Sequence, residues 1–371
     1  MLQVMQICKK STSSLFHIIR RCFVPDADKL IHYLPEILYD KEIASGVREL
    51  SLIRHAQSVL FGEDNTGFPP WFRREHAFSE RYLYRMCNVE LLLPFGGVRF
   101  CGKWVQESFG NYGDVLWLVA RFRVERLLRL LWQRGHFAYS DGVYTSLKAV
   151  GYYHFLLCAL PEFLHVLKRY PDVKVLLCQD ELYPFVGAFL DLLGVRQRIC
   201  LPPWSRVFVS DYAFSAVESH CGFVPPDDIR LLRDTFLPLA EEGKNCQRIF
   251  LSRKKSTRSF SNQAELEDLM GSFGFTVVCL EEMTVLQQIS LFRSAEVVVA
   301  NHGAGLSNLV WGNSDVKVLE LFSPVFLNDC YFRLAKALGM AYQHVIADGT
   351  GWGTVDLSKV KEVLSAIDAV G

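Results

Sequence analysis

Residues 296–311 read EVVVANHGAGLSNLVW, and they put an imidazole and two glycines where an apolar run ends. Val297 to Ala300 predict a buried strand, and a helix is expected to begin near Ala304. Gly303 and Gly305 let the backbone approach a ligand closely, and the first N–H groups of a helix favour an anion. His302 can donate a hydrogen bond to that anion, and Asn308, one turn on, is expected to face the same way. The chemistry suggested is phosphate binding. A tight strand-to-helix turn without a ligand also fits, because the full G-x-G-x-x-G pattern is not met: Gly303 and Gly305 are followed by Asn308.

Two further features are expected at the same sheet edge. The stretch SRKKSTRSFSN, residues 252–262, follows another apolar run and carries Arg253, Lys254, Lys255 and Arg258. It is either a solvated loop or one side of a phosphate clamp, for which guanidinium groups suit bidentate contacts. Glu320 closes the apolar run VKVLE, where its carboxylate can accept from the two hydroxyls of a ribose or cap the next loop. Together the three describe a nucleoside-diphosphate site.

The elements that must hold these residues are alternating strands and helices. Apolar runs at 248–252, 275–280, 296–300, 316–321 and 341–347 are separated by helical patterns. One of these helices opens at Asn262 with Glu265 at the capping-box position, and another opens at Thr284. Continuous apolar strands with helices between them predict a parallel, doubly covered, Rossmann-like sheet, whose ligands bind beyond the strands' carboxyl ends. Upstream, 173–178 and 205–210 read as strands, and 227–243 as a helix. The stretches WLVARFRVERLLRLLWQ and YYHFLLCALPEFLHVLKRY read as helical, with Pro161 either kinking the second or marking its first turn. The expected division is a basic amphipathic segment at 1–35, an α/β domain at 36–240, a Rossmann-like domain at 241–350 and a closing helix at 351–371.

Composition narrows the class. The chain has 371 residues, half of them hydrophobic, enough for two large cores. Forty basic residues balance forty acidic ones, which disfavours a general nucleic-acid binder. The 11 cysteines form no CxxC pair and several lie in apolar runs, so free buried thiols in a reducing, cytoplasmic compartment are expected. No apolar stretch approaches about 18 residues. Lys9, Lys10, Arg20 and Arg21 flank Leu15, Phe16, Ile18 and Ile19. That pattern fits a solvated first helix, or a peripheral contact through residues 9–24 with an anionic membrane surface.

The motifs in combination resemble glycosyltransferase family 61. The order is a strand followed by Ser-Arg, a basic loop with Arg-x-x-x-Asn-x-x-Glu from Arg258 through Asn262 to Glu265, a strand beginning Gly-Phe, a Gln-Ile helix, HGAGL-x-N, and a strand ending in glutamate. GYYHFLLCALPEFL, residues 151–164, is similar to the family's N-Y-x-H-W/F-L-x-x-x-L-P segment. Gly151 stands where the family often has asparagine, and Gln287 where a glutamate often precedes the matching Gln288. The resemblance covers about residues 150 to 345 and implies a GT-B architecture, two Rossmann-like domains facing across a cleft.

It also implies an inverting, metal-independent transfer of sugar from a nucleotide-diphosphate donor to a glycan or lipid-linked acceptor, with a capsule or other bacterial surface polysaccharide as the product class. The donor would be held by Arg253, Lys254, Arg258, Asn262, His302, Gly303, Ala304, Gly305, Asn308 and Glu320. Such a transfer needs a general base, for which His154 is favoured and His302 is the rival, with His302 better placed to hold the leaving diphosphate. The D-x-D at Asp26 and Asp28 follows a proline rather than an apolar strand and reads as chance. An esterase would need a G-x-S-x-G elbow, which is missing. The alternative from another class is a non-catalytic sugar-nucleotide or glycan-binding module on the same fold.

Overall fold

The computed structural model describes residues 37–38, 47–60, 75–78, 80–92, 97–100, 103–105, 108, 137–148, 151–178, 182–202, 206–216, 222–241, 248–254 and 258–369. The basic segment at 9–24, Asp26 and Asp28, Lys255 and the apolar stretch at 117–133 lie outside these residues.

The first half forms a ten-stranded mixed sheet among the described residues. Its strands, with those of a small separate pair, are β1 (Ile37–Leu38), β2 (Val47–Arg54), β3 (Gln57–Leu60), β4 (Glu75–Phe78), β5 (Arg81–Leu92), β6 (Gly97–Phe100), β7 (Lys103–Val105), β8 (Phe137–Tyr139), β9 (Tyr144–Leu147), β10 (Lys174–Leu177), β11 (Ile199–Cys200) and β12 (Arg206–Ser215). Strands β3 and β4 pair only with each other. The backbone order is β1-β7-β6-β5-β12-β9-β10-β11, with β2 on β5 and β8 on β12. Only part of this sheet is the parallel arrangement of a Rossmann-like unit. β9, β10 and β11 run parallel, whereas β12 lies antiparallel along β5 from Arg206 opposite Leu92 to Ser215 opposite Leu83. The reason is visible in β12. Val207 and Val209 are buried while Phe208 between them is 41% exposed, the alternation of a strand with one wet face.

The second half forms a five-stranded parallel sheet, in the order β14-β13-β15-β16-β17. These are β13 (Arg248–Leu251), β14 (Thr276–Val278), β15 (Val297–Asn301), β16 (Lys317–Phe322) and β17 (Ala341–Ile346). All five residues of β15 are buried, as a central strand covered on both faces requires. Side chains alternate between two cores. Val298, Val318, Phe322 and Tyr342 face the layer of the helices Val285–Arg293 and Cys330–Ala337. Val299, Leu319, Leu321 and Val345 face the helices Gln263–Ser272 and Leu357–Ala369.

The first of those layers continues into the upstream half. Phe189, Phe236 and Trp311 stack edge to face, with centroids 5.1 and 6.0 Å apart. Arg233 donates to the Val310 and Gly312 carbonyls at 2.8 and 2.6 Å. The helix expected over 227–243 is Pro226–Phe236, followed by a short 3₁₀ turn at Leu237–Leu239. The helix expected from Ala304 is also 3₁₀, spanning Ala304–Trp311.

The YYHFLLCALPEFL stretch is helical with a change of register. Tyr152–His154 is α, Phe155–Ala159 is π, and Leu160–Arg169 is α again. The Leu160 N–H bonds the Phe155 carbonyl one residue before Pro161, which therefore starts a fresh first turn and causes no kink further on.

Candidate functional site

The parallel sheet brings the loops after β13, β15, β16 and β17 to one edge. His302 leaves β15 with its N–H on the Leu321 carbonyl at 2.8 Å. Its Nδ1 meets Glu320 Oε1, and the other carboxylate oxygen accepts from the Tyr342 hydroxyl. Glu320 is fully buried. Both its oxygens are engaged by protein groups, so it does not face a ribose; it orients the His302 ring, leaving Nε2 as the nitrogen that can meet a ligand. Burial, then the Glu320 charge, pushes the Tyr342 hydroxyl well above its ordinary value, so it stays a donor. Phe322 stacks on the imidazole at 5.1 Å, and Phe326 and Tyr331 flank it at 5.2 and 5.3 Å.

Arg253 reaches this turn from the loop after β13. Its Nη1 donates to the His302 carbonyl at 2.5 Å. A Cβ on Gly303 would fall 2.2 Å from that nitrogen. The glycine is needed for close approach, since its φ of 166° is extended backbone open to any residue. At Gly305 a Cβ would lie 3.0 Å from a Leu280 methyl, a milder constraint. Ala304 opens the 3₁₀ helix, whose first N–H groups have no partner within the helix. Burial, then the neighbouring Arg258 charge, lowers the Arg253 guanidinium from its ordinary value while leaving it a cation.

Two of the other expected ligands, Asn308 and Asn262, spend their side chains on protein partners, whereas Lys254 and Arg258 stay exposed. Asn308 is 1% exposed and does not face the edge. Its Oδ1 accepts from Tyr152 at 2.8 Å and Trp311 at 3.0 Å, and its Nδ2 donates to Gln288 at 3.2 Å and the Gly305 carbonyl at 3.1 Å. Asn262 makes no capping bond to its helix; its amide holds both backbone groups of Val355, at 2.8 and 3.0 Å. Lys254 is exposed, and its backbone N–H bonds Ser252 Oγ. Arg258 is exposed with its guanidinium 5.7 Å from the centre of the Trp352 ring.

His154 is exposed, and the structure links it to the turn. Its ring lies against Tyr153 at 5.2 Å, Tyr153 against Tyr331 at 5.7 Å, and Tyr331 against His302. Gly151 has open space where a side chain would begin, so nothing steric demands glycine there.

Sequence reasoning missed Tyr331, Tyr342 and Trp352. The two tyrosines sit at unexceptional positions of a helix and a strand. Trp352 carried a signal, an aromatic residue between glycines in DGTGWGT, residues 348–354. Among the described residues, one trio has metal-ligand spacing: His165, Asp227 and Asp228, with ligand atoms within 4.8 Å of one another. Its carboxylates already face Arg81 and Arg54.

Known proteins now bear on this arrangement. Residues 152–319 match the family Glycosyltransferase 61. The match takes in the Tyr152–His154 turn, Arg253 and the His302 loop, and it supports a glycosyltransferase as the class of the protein. No curated protein sequence matches the chain. Among solved structures, E. coli heptosyltransferase WaaC with ADP overlaps 61% of this chain and 99% of its own at 9% identity and a TM-score of 0.32. The iron-containing dodecameric glycosyltransferase TibC from enterotoxigenic E. coli H10407 overlaps 66% and 75% at 11% identity and a TM-score of 0.28. Both overlaps are weak, and the family match alone bears on function.

Proposed function

We propose that the protein is an inverting glycosyltransferase of family 61 that moves a sugar from a nucleotide-diphosphate donor to a glycan or lipid-linked acceptor. The observation that carries this is the family match over residues 152–319, because it takes in the Tyr152–His154 turn, Arg253 and the His302 loop. The plan is GT-B: residues 36–240 take the acceptor, 241–350 hold the donor and 351–371 close the second unit, on the cytoplasmic side in surface-polysaccharide synthesis.

The acceptor hydroxyl attacks the anomeric carbon as the bond from that carbon to the diphosphate breaks. His154 takes the hydroxyl proton, being exposed on the upstream half and joined by ring contacts to the turn. Arg253, the backbone N–H groups at Gly303–Gly305 and His302 Nε2 receive the charge of the departing diphosphate. These groups supply positive charge and donors without a metal ion.

Binding and turnover with a set of UDP-, GDP- and ADP-sugars test this. At least one donor binds, Arg253→Ala weakens it at least tenfold, and His154→Ala lowers turnover 10²- to 10⁴-fold with binding retained. Donor binding without transfer or hydrolysis, indifferent to His154→Ala, would instead establish a non-catalytic binding module. No donor binding, or binding unchanged in Arg253→Ala, refutes the site.

A further inference from the structure

The loop after β17 contributes an aromatic face to this edge that neither the motif nor the family match contains; Trp352 lies outside residues 152–319. The loop is firmly placed. Gly349, Gly351 and Gly353 turn it back through positive φ of 96°, 63° and 78°. Asp348 and Thr354 exchange backbone hydrogen bonds across it at 2.9 and 2.8 Å. Ser323 Oγ, next to the Phe322 that stacks on His302, donates to the Gly351 carbonyl at 2.9 Å. Ser261 N–H holds the Gly353 carbonyl at 3.0 Å, and Asn262 clamps Val355. Trp352 is thus fixed between the β16 loop and the basic loop, half-buried, with the Arg258 guanidinium over its ring at 5.7 Å from the centroid.

Its flank is also defined. Tyr152 and Tyr153 lie on the layer of the helices Val285–Arg293 and Cys330–Ala337, Tyr152 bonded to Gln288 and Asn308 and Tyr153 packed on Tyr331. The residues after Trp352, Gly353 to Val355, are tied to Ser261 and Asn262, at the start of the helix Gln263–Ser272 in the opposite layer. A nucleotide sugar has two ends joined at its diphosphate. If the diphosphate lies at Arg253 and Gly303 and the sugar faces His154, the base must point to the other flank.

We propose that Trp352 is the platform on which the donor's nucleobase stacks, with the exposed Arg258 side chain swinging from its place over the ring toward the phosphates. The inference rests on the donor site proposed above. The indole supplies an apolar face for any planar base, and the guanidinium supplies charge beside the adjoining phosphate.

Titration calorimetry with UDP, GDP, ADP and inorganic pyrophosphate tests it on the full chain. Trp352→Ala is expected to weaken the preferred nucleoside diphosphate about ten- to hundredfold and leave pyrophosphate unchanged. Trp352→Phe keeps the ring and most of the affinity, and thermal unfolding of both variants verifies their fold. Equal weakening of pyrophosphate overturns the platform, because Trp352 then acts only through Arg258. Unchanged nucleoside-diphosphate affinity in Trp352→Ala overturns it as well. A wild-type protein that binds pyrophosphate but no nucleoside diphosphate overturns the platform while sparing the anion site. One that binds none of the four overturns the donor site itself.

Discussion

At the scale of single residues, Gly303 and Glu320 act through the side chains they position. Gly303 leaves room for the Arg253 guanidinium against the His302 carbonyl. Gly303→Ala places a methyl where that group lies, and the flexible arginine must move while the extended backbone stays unstrained. The expected outcome is donor affinity reduced at least tenfold with the thermal midpoint shifted by only a few degrees, read by calorimetry and thermal unfolding. Unaltered affinity would detach Arg253 from the donor. Glu320 holds His302 from below with both oxygens engaged. Glu320→Gln keeps its shape and removes its charge, so kcat should fall about ten- to hundredfold with the donor KM little changed. A loss of stability with kcat intact would make the pair purely structural.

At the scale of elements, a buried polar hub fastens the upstream helix start to the donor-side helices. Tyr152 from Tyr152–His154, Gln288 from Val285–Arg293, and Asn308 and Trp311 from Ala304–Trp311 meet there. Gln288 is anchored in turn on the Leu280 carbonyl at 2.9 Å. Its neighbour Gln287 completes a capping box with Thr284, a role a glutamate would fill equally well. Asn308→Ala strips partners from the Tyr152 hydroxyl, the Gln288 amide and the Trp311 indole in a water-poor setting. It should cost on the order of 3 kcal/mol, measured by denaturant unfolding. A cost under about 0.5 kcal/mol would mean that other groups replace the asparagine, so that the hub does not join the elements.

At the scale of the whole molecule, the two sheets were unequally legible. The second half declared itself through uninterrupted runs such as VVVA, whose burial on both faces permits one arrangement. The first half depends on β5 meeting β12 across more than a hundred residues of chain, a pairing no local pattern specifies. At the site, position along the chain located the edge but not which side chains turn inward: Glu320 and Asn308 are spent on protein partners, a matter of register and packing. The first half is also held by a charge cluster that no motif announced. Asp228, 3% exposed, accepts from Arg81 Nη1 with both carboxylate oxygens at 2.7 Å and lies 2.8 Å from His165 Nε2, tying β5, the helix Leu160–Arg169 and the helix Pro226–Phe236 together. Burial pushes its carboxyl up, but the Arg81 charge and the His165 hydrogen bond and charge outweigh this, and the group ends below its ordinary value of 3.8. The unfolded chain therefore binds the proton more readily than the folded one. Stability from this group is complete above that ordinary value and is lost as pH falls through the lower folded value. Asp228→Asn strands the Arg81 charge in the core, so it should cost roughly 3–5 kcal/mol at neutral pH. It should also flatten the loss of stability below about pH 4, where the wild type alone gains a proton on unfolding. Denaturant unfolding of both proteins from pH 3 to pH 7 compares the curves, and parallel ones would show that Asp228 is not the group whose protonation loosens the first half.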